Sequence, residues 1–119
     1  MYSVKKKFSF SAAHHLHGLP DDHPCSRQHG HNYEVEVTLS GRLNEVCFVR
    51  DYRDLDTFKK WLDDTVDHKD LNEVFKNNQT SAENLAYIFF AHLSMDFPEL
   101  QSVAVSETPK PWAVYEASK

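Results

Sequence analysis

Two histidines separated by one residue, His29-Gly30-His31, lie at i and i+2. On an extended strand that spacing puts both rings on one face, about 6.6–7 Å apart along the backbone, close enough to converge on one ion. Gly30 between them is expected to leave room above that ion. His14 closes a separate run in which Tyr2, Val4, Phe8, Phe10 and Ala12 alternate mainly with Ser and Lys, so it falls in register with an apolar strand face. If the two strands pair, three neutral imidazole nitrogens meet at one end of a sheet. Three imidazoles without a fourth protein ligand describe a catalytic zinc site, since a structural zinc site closes with four ligands, mostly sulfur. Taken singly, each is better read as an ordinary loop-edge histidine; the shared register of all three favours the metal. His15, His17 and His23 belong to the same cluster of six histidines but have no periodic constraint, and they are read as loop residues.

Three further groups could carry chemistry. Cys25 lies four residues before His29, in a loop rich in turn formers (Gly18, Pro20, Asp21, Asp22, Pro24), where a thiol near a dication is acidified and can serve as base or nucleophile. Asp67-His68 pairs a carboxylate with an imidazole, the makings of a proton shuttle if a loop lets them bond; the alternative is a solvated helix end. Glu107 is in register with Val103 and Val105, and a carboxylate buried there needs donors from a ligand or an arginine, unless the strand has already left the core. Cys47 sits in an apolar run and is assigned to the core.

The elements that must position these groups follow from periodicity. Tyr33, Val35, Val37 and Leu39 alternate with Glu34, Glu36, Thr38 and Ser40, a second strand whose register extends back to His31 and His29. Residues 40–44 form a turn candidate and Val46 to Val49 a short returning strand. Leu55, Phe58, Leu62 and Val66, with Trp61 beside them, recur at helical spacing behind a cap at Asp51 or Asp54. A polar connection from Asp67 to Asn78 follows. Thr80-Ser81-Ala82-Glu83 reads as a capping box, with Glu83 assigned to capping, opening a helix to about Ser94 that turns Leu85, Ile88, Phe89 and Leu93 inward. Val103 and Val105 mark another strand, and Trp112 to Glu116 the last. The expected order, β-β-β-α-α-β-β, is an α+β fold of antiparallel strands with two helices on one face.

Composition narrows the classes. A chain of 119 residues, 40% hydrophobic, can bury one core, so a single domain over residues 1–119 is expected. The net charge of −5, with its 13 Lys and Arg dispersed apart from Lys5-Lys6-Lys7, argues against nucleic acid as a partner. No apolar run approaches the roughly 20 residues of a membrane span, and the first residues lack the apolar centre of a secretory signal. The expectation is a cytoplasmic protein whose two cysteines stay reduced.

Six segments together resemble the 6-pyruvoyl-tetrahydropterin synthase and 6-carboxytetrahydropterin synthase family. They are Phe10-Ser11-Ala12-Ala13-His14, Cys25-Ser26-Arg27-Gln28-His29-Gly30-His31, Val49-Arg50-Asp51-Tyr52, Asp67-His68-Lys69-Asp70-Leu71-Asn72, Thr80-Ser81-Ala82-Glu83-Asn84 and Ser106-Glu107-Thr108. The resemblance implies a tunnelling fold: a four-stranded antiparallel sheet with two helices, trimers that close their sheets into a barrel, and a homohexamer of two trimers with active sites between subunits. It implies zinc on His14, His29 and His31, Cys25 as general base, Asp67 and His68 in proton transfer, and Glu107 gripping the 2-amino and ring N–H groups of a pterin. The substrate implied is 7,8-dihydroneopterin triphosphate. The three-residue gap between Cys25 and His29 resembles the bacterial 6-carboxytetrahydropterin synthases of the queuosine and deazapurine pathway more than the animal 6-pyruvoyl enzymes. The sister 6-pyruvoyl activity and a non-catalytic zinc- or pterin-binding assembly are the alternatives. Gln79 departs from the proline frequent there in the family, which puts the rigidity of the neighbouring loop in question.

Overall fold

A computed structural model describes residues 1–118. Alternation builds two long strands, β1 (Tyr2–His14) and β2 (His29–Gly41), which pair antiparallel along their whole length, from Tyr2 opposite Gly41 to His14 opposite His29. The helical period yields α1 (Asp56–Thr65), a one-turn α2 (Leu71–Val74) and α3 (Ala82–Ser94). Between α1 and α2 lies a two-residue strand β3 (Lys69–Asp70), and β4 (Leu100–Ser106) and β5 (Ala113–Glu116) close the chain. The sheet order is β3-β1-β2-β4-β5, antiparallel throughout except where β3 runs parallel to β1.

The α+β class stands, with a correction: the expected four-stranded antiparallel sheet with two helices is a five-stranded mixed sheet with three helices. The added pieces are short ones, β3 and α2, in the connection read as merely polar. Two residues pair because Val66 and Asp67 end the helix against Leu62 O and the His68 N–H then reaches Ser11 O at 2.6 Å, bringing the chain alongside β1.

A second correction concerns Val46 to Val49, which form no strand. The Asn44 side-chain oxygen accepts from the N–H groups of Val46 and Phe48, both at 3.0 Å, while the Asn44 N–H donates to Phe48 O. That local side-chain bonding satisfies the backbone within a tight loop and leaves nothing for a ladder. Cys47, expected in the core, stands exposed at the tip of this loop with a left-handed φ of 64°.

The core lies between the sheet and α1 and α3. Phe8, Phe10, Val35, Val37, Val103 and Val105 face Phe58, Leu62, Leu85, Phe89 and Leu93, all at most 6% exposed. Aromatic rings lock the layers, Phe58 edge-on to Phe8 at 5.2 Å and Phe89 edge-on to Phe10 at 5.9 Å. α1 follows a turn capped by Asp51, whose carboxylate accepts from the Arg53 N–H at 3.0 Å. The cap of α3 shifts by one residue from expectation. Ser81, not Thr80, accepts from the Asn84 N–H, so Glu83 takes the first turn of the helix without the reciprocal capping-box position. Thr80 is fully buried and serves the site instead.

Candidate active site and metal centre

Pairing of β1 with β2 alone gathers the three imidazoles. His14 sits opposite His29, and His31 sits opposite Ala12, whose small side chain leaves the ring free to lean toward the other two. Ring centroids are 4.6 Å apart for His14 and His29, 4.8 Å for His29 and His31, and 5.4 Å for His14 and His31. One nitrogen from each lies within 4.8 Å of the others. Gly30 is not what makes the room: it is on the opposite face, and a Cβ there would meet only Ala12 O at an ordinary 3.6 Å.

The tautomers follow from the backbone. His14 Nδ1 lies 2.8 Å from the Thr80 carbonyl and His29 Nδ1 lies 2.7 Å from the Arg27 carbonyl. A carbonyl only accepts, so each Nδ1 carries the proton and each Nε2 presents a lone pair, the arrangement that orients metal-binding histidines. His14 Nε2 and His31 Nε2 are buried without a hydrogen-bond partner. Burial pushes the His14 pKa down to about 4, the bond to Thr80 opposing and the neighbouring His29 and His31 adding to the shift, so the ring is neutral and ready to ligate at pH 7. Such orphaned buried nitrogens call for a cation, and an all-imidazole set suits zinc.

Glu107 follows directly on β4 and faces this cluster, its two carboxylate oxygens 3.7 Å from His14 Nε2 and 3.6 Å from His31 Nε2. Its side chain is 27% exposed. It stands in the wall shared by two cavities of about 430 and 370 Å³, the first lined by Leu16, Ser81, Glu83 and Trp112, the second by Asn32, Glu34 and Pro109. Tyr33, two residues beyond His31, lies beneath the rings fully buried, stacked on Phe10 at 4.8 Å, with its hydroxyl unpartnered.

Asp67 and His68 do bond to each other. Asp67 Oδ1 accepts the Ser11 N–H at 2.9 Å while its other oxygen lies 3.0 Å from His68 Nδ1, a contact between adjacent residues that the left-handed φ of His68, 59°, permits. The Ser11 N–H, and to a lesser degree His68, hold the Asp67 carboxyl below the usual carboxylate range. The His68 side chain is 82% exposed. Cys25 lies in a single 3₁₀ turn (Pro24–Ser26), half-buried, its N–H bonded to His23 Nδ1 at 3.0 Å. Among the described residues no hydrogen bond joins its thiol to the Asp67–His68 pair or to the histidine cluster.

The sequence does not announce the contacts by which Asn72 and Gln79 brace the loop after His14. Asn72 takes the His15 N–H on its side-chain oxygen at 2.9 Å and returns its NH₂ to His15 O at 3.0 Å. Gln79 grips His17 in the same two-way manner, at 2.9 and 2.8 Å. Gln79 thus ties the loop down with its side chain, answering the doubt about rigidity. These contacts join residues 57 and 62 positions apart, and no local pattern announces them.

The family model of 6-pyruvoyl tetrahydropterin synthase matches residues 3–118. The chain belongs to this family. A putative 6-carboxy-5,6,7,8-tetrahydropterin synthase of Archaeoglobus fulgidus is 34% identical over 105 residues, covering 88% of this chain and 87% of the relative. A putative 6-pyruvoyl tetrahydrobiopterin synthase of Caenorhabditis elegans is 37% identical over 125 residues, covering 91% and 89%. The solved structure of Caenorhabditis elegans 6-pyruvoyl tetrahydropterin synthase superposes with a TM-score of 0.87 at 33% identity, covering 98% of this chain and 96% of that one. Membership in the tetrahydropterin synthases accords with a fold that gathers three histidines and a facing carboxylate at one sheet end.

Proposed function

We propose that this chain is a zinc-dependent 6-carboxy-5,6,7,8-tetrahydropterin synthase, a lyase that converts 7,8-dihydroneopterin triphosphate and water to 6-carboxytetrahydropterin, acetaldehyde and triphosphate. The observation that carries the reading is the pair of buried, unpartnered Nε2 atoms on His14 and His31, with Glu107 beside them. His14, His29 and His31 hold the metal, with Thr80 and Arg27 carbonyls fixing two of the rings. Bound zinc supplies Lewis acidity, which lowers the proton affinity of hydroxyl and adjacent C–H groups on the substrate side chain. Cys25 is the general base, and Asp67 orients His68, which carries protons between reacting atoms and solvent. Glu107 accepts hydrogen bonds from the 2-amino and ring N–H groups of the pterin, a pattern two carboxylate oxygens can meet at once.

The protein is one domain over residues 1–119, cytoplasmic, and works as a homohexamer of two trimers with its active sites between subunits. Supporting that assembly, β5 has one open edge and β1 is covered on its outer edge only at Ala12 and Ala13 by β3. Closing those edges against another copy satisfies the exposed backbone groups. The exposure of His68 supports a site completed by a second chain.

The carboxy product is favoured by the three residues between Cys25 and His29; the 6-pyruvoyl product is the second reading, favoured by the worm relative and its structure. Mass-spectrometric product analysis decides, using zinc-loaded protein and 7,8-dihydroneopterin triphosphate under reducing, anaerobic conditions. 6-Carboxytetrahydropterin with acetaldehyde is the expected result. 6-Pyruvoyl-tetrahydropterin would assign the sister activity to the same site, and absence of turnover would leave a zinc- or pterin-binding assembly.

A further inference from the structure

Cys25 sits in a single turn with no long strand or helix to carry it, yet both of its peptide groups are held. Its N–H donates to His23 Nδ1 at 3.0 Å, and its carbonyl accepts from the Leu16 N–H at 2.7 Å. Leu16 is the middle of a three-residue run that follows β1, and its two neighbours bond to different partners. His15 gives its N–H to the Asn72 side-chain oxygen at 2.9 Å and accepts the Asn72 amide on its carbonyl at 3.0 Å. His17 is gripped in the same way by Gln79, at 2.9 and 2.8 Å. Alternate residues serving opposite partners is the bonding pattern of a strand, completed here on one side by two side-chain amides and on the other by the turn of Cys25.

The two amides are themselves anchored. Asn72 belongs to α2, whose Leu71 is fully buried, and its N–H donates to the Asp70 carboxylate at 3.0 Å. The Gln79 carbonyl accepts from the side chain of Asn84, in the first turn of α3, at 2.6 Å. α2 and α3 therefore hold residues 15–17, and residues 15–17 hold the carbonyl of Cys25. On the reading of Cys25 as the general base of a pterin synthase, we propose that Asn72 and Gln79 are positioning residues for that thiol, acting through Leu16. A base displaced by about 1 Å from the proton it takes can lose about 10²-fold in rate. The loop that bears Cys25 has no ladder of its own to prevent such a displacement, and the two amides lend it the rigidity of the helices behind them.

The test compares zinc-loaded wild type with Gln79→Met, which keeps the length of the side chain without its amide, and Gln79→Glu, which keeps only the acceptor for the His17 N–H. Two rates are read: turnover of 7,8-dihydroneopterin triphosphate, and alkylation of Cys25 by iodoacetamide followed by peptide mass, with the exposed Cys47 as internal standard. Zinc content and thermal unfolding establish that the metal centre and the fold are intact, and Gln79→Glu keeps the comparison decisive if the methionine variant does not fold. For Gln79→Met, alkylation of Cys25 should be about tenfold faster with Cys47 unchanged, because two lost hydrogen bonds free the turn to open locally. Its kcat should be about tenfold lower with KM within about twofold of wild type, and Gln79→Glu should lie between the two. Equal alkylation rates in all three proteins, or faster alkylation at unchanged kcat, would overturn the proposal. Loss of zinc from Gln79→Met would also overturn it, by assigning the brace to the metal end. A wild type without turnover would overturn the reading of the site and the proposal with it.

Discussion

The histidine cluster and the groups proposed to move protons are built to opposite standards. His14 is 1% exposed, bonded through Nδ1 to a buried backbone carbonyl, and held in place by strands paired over thirteen residues each. The His68 side chain is 82% exposed and is fastened only to its neighbour Asp67, and Cys25 occupies a single turn of a loop. The difference teaches where one chain is sufficient. A metal centre must be rigid before its ligand arrives, because misplaced ligands cost affinity, and one sheet end provides that rigidity. Groups that move protons need access to substrate and to solvent, and of those proposed for that work here His68 stands at the surface and Cys25 half-buried in a loop. An apolar cavity of about 390 Å³ at the far end of the same strand pair, lined by Tyr2, Leu43, Phe48 and Tyr52, makes the contrast from another side. Its arginines are occupied, Arg50 by Asp54 and Glu99 and Arg53 by Asp51, so it offers volume with both guanidinium groups already paired.

The sharpest way to separate the two halves is Cys25→Ala. Turnover should fall by about 10²- to 10⁴-fold while zinc content and unfolding temperature stay at wild-type values, and a variant that remained active would remove the thiol from the mechanism. Next in size is complementation. Cys25→Ala and His68→Ala should each be nearly inactive alone, yet co-expression in mixed oligomers should restore about one quarter of the sites if each site draws these residues from different chains. No recovery would place both in the same chain's site.

The buried half should show itself in pH dependence. Because the folded-state pKa of His14 lies near 4, below the unfolded value of about 6.5, the unfolded chain binds the extra proton between those limits. Stability of the metal-free protein is therefore full above pH 6.5 and is lost as pH falls toward 4. Denaturant titration should find a loss of about 2 kcal/mol between pH 7 and pH 5 that is absent in His14→Gln. A flat wild-type profile would mean that the ring is hydrated. The smallest effect is predicted for Tyr33→Phe, which deletes a buried hydroxyl with no partner and should leave stability unchanged or raise it by up to about 1 kcal/mol. A loss above about 2 kcal/mol would show that the hydroxyl is bonded in the working protein.

Regular patterns in the sequence translate directly into this structure, and the exceptions share one cause. Period-two alternation through Phe8, Phe10 and Ala12, and through Tyr33, Val35 and Val37, suffices to bring His14 opposite His29, because a strand's register leaves each side chain only two faces. The helical stripes of Phe58, Leu62, Leu85 and Phe89 are likewise buried as their spacing requires. Val46 to Val49 mislead because a side chain outside the run, Asn44, takes the backbone bonds that a strand would need. Thr80 looks like a cap from its neighbours, yet the imidazole 66 residues earlier claims its carbonyl. The carbonyls that fix His14 and His29 belong to a buried residue before α3 and to a loop, and backbone acceptors have no residue type to recognise.

The central claim is that three imidazoles of one chain hold the metal on which the chemistry depends. Elemental analysis of purified wild-type protein and of His29→Ala, each paired with a turnover assay on 7,8-dihydroneopterin triphosphate, addresses it most directly. One zinc per wild-type chain is predicted, together with a folded, zinc-depleted and inactive His29→Ala. Wild-type protein that turns over substrate without zinc, or a His29→Ala variant with full zinc occupancy, would contradict the account.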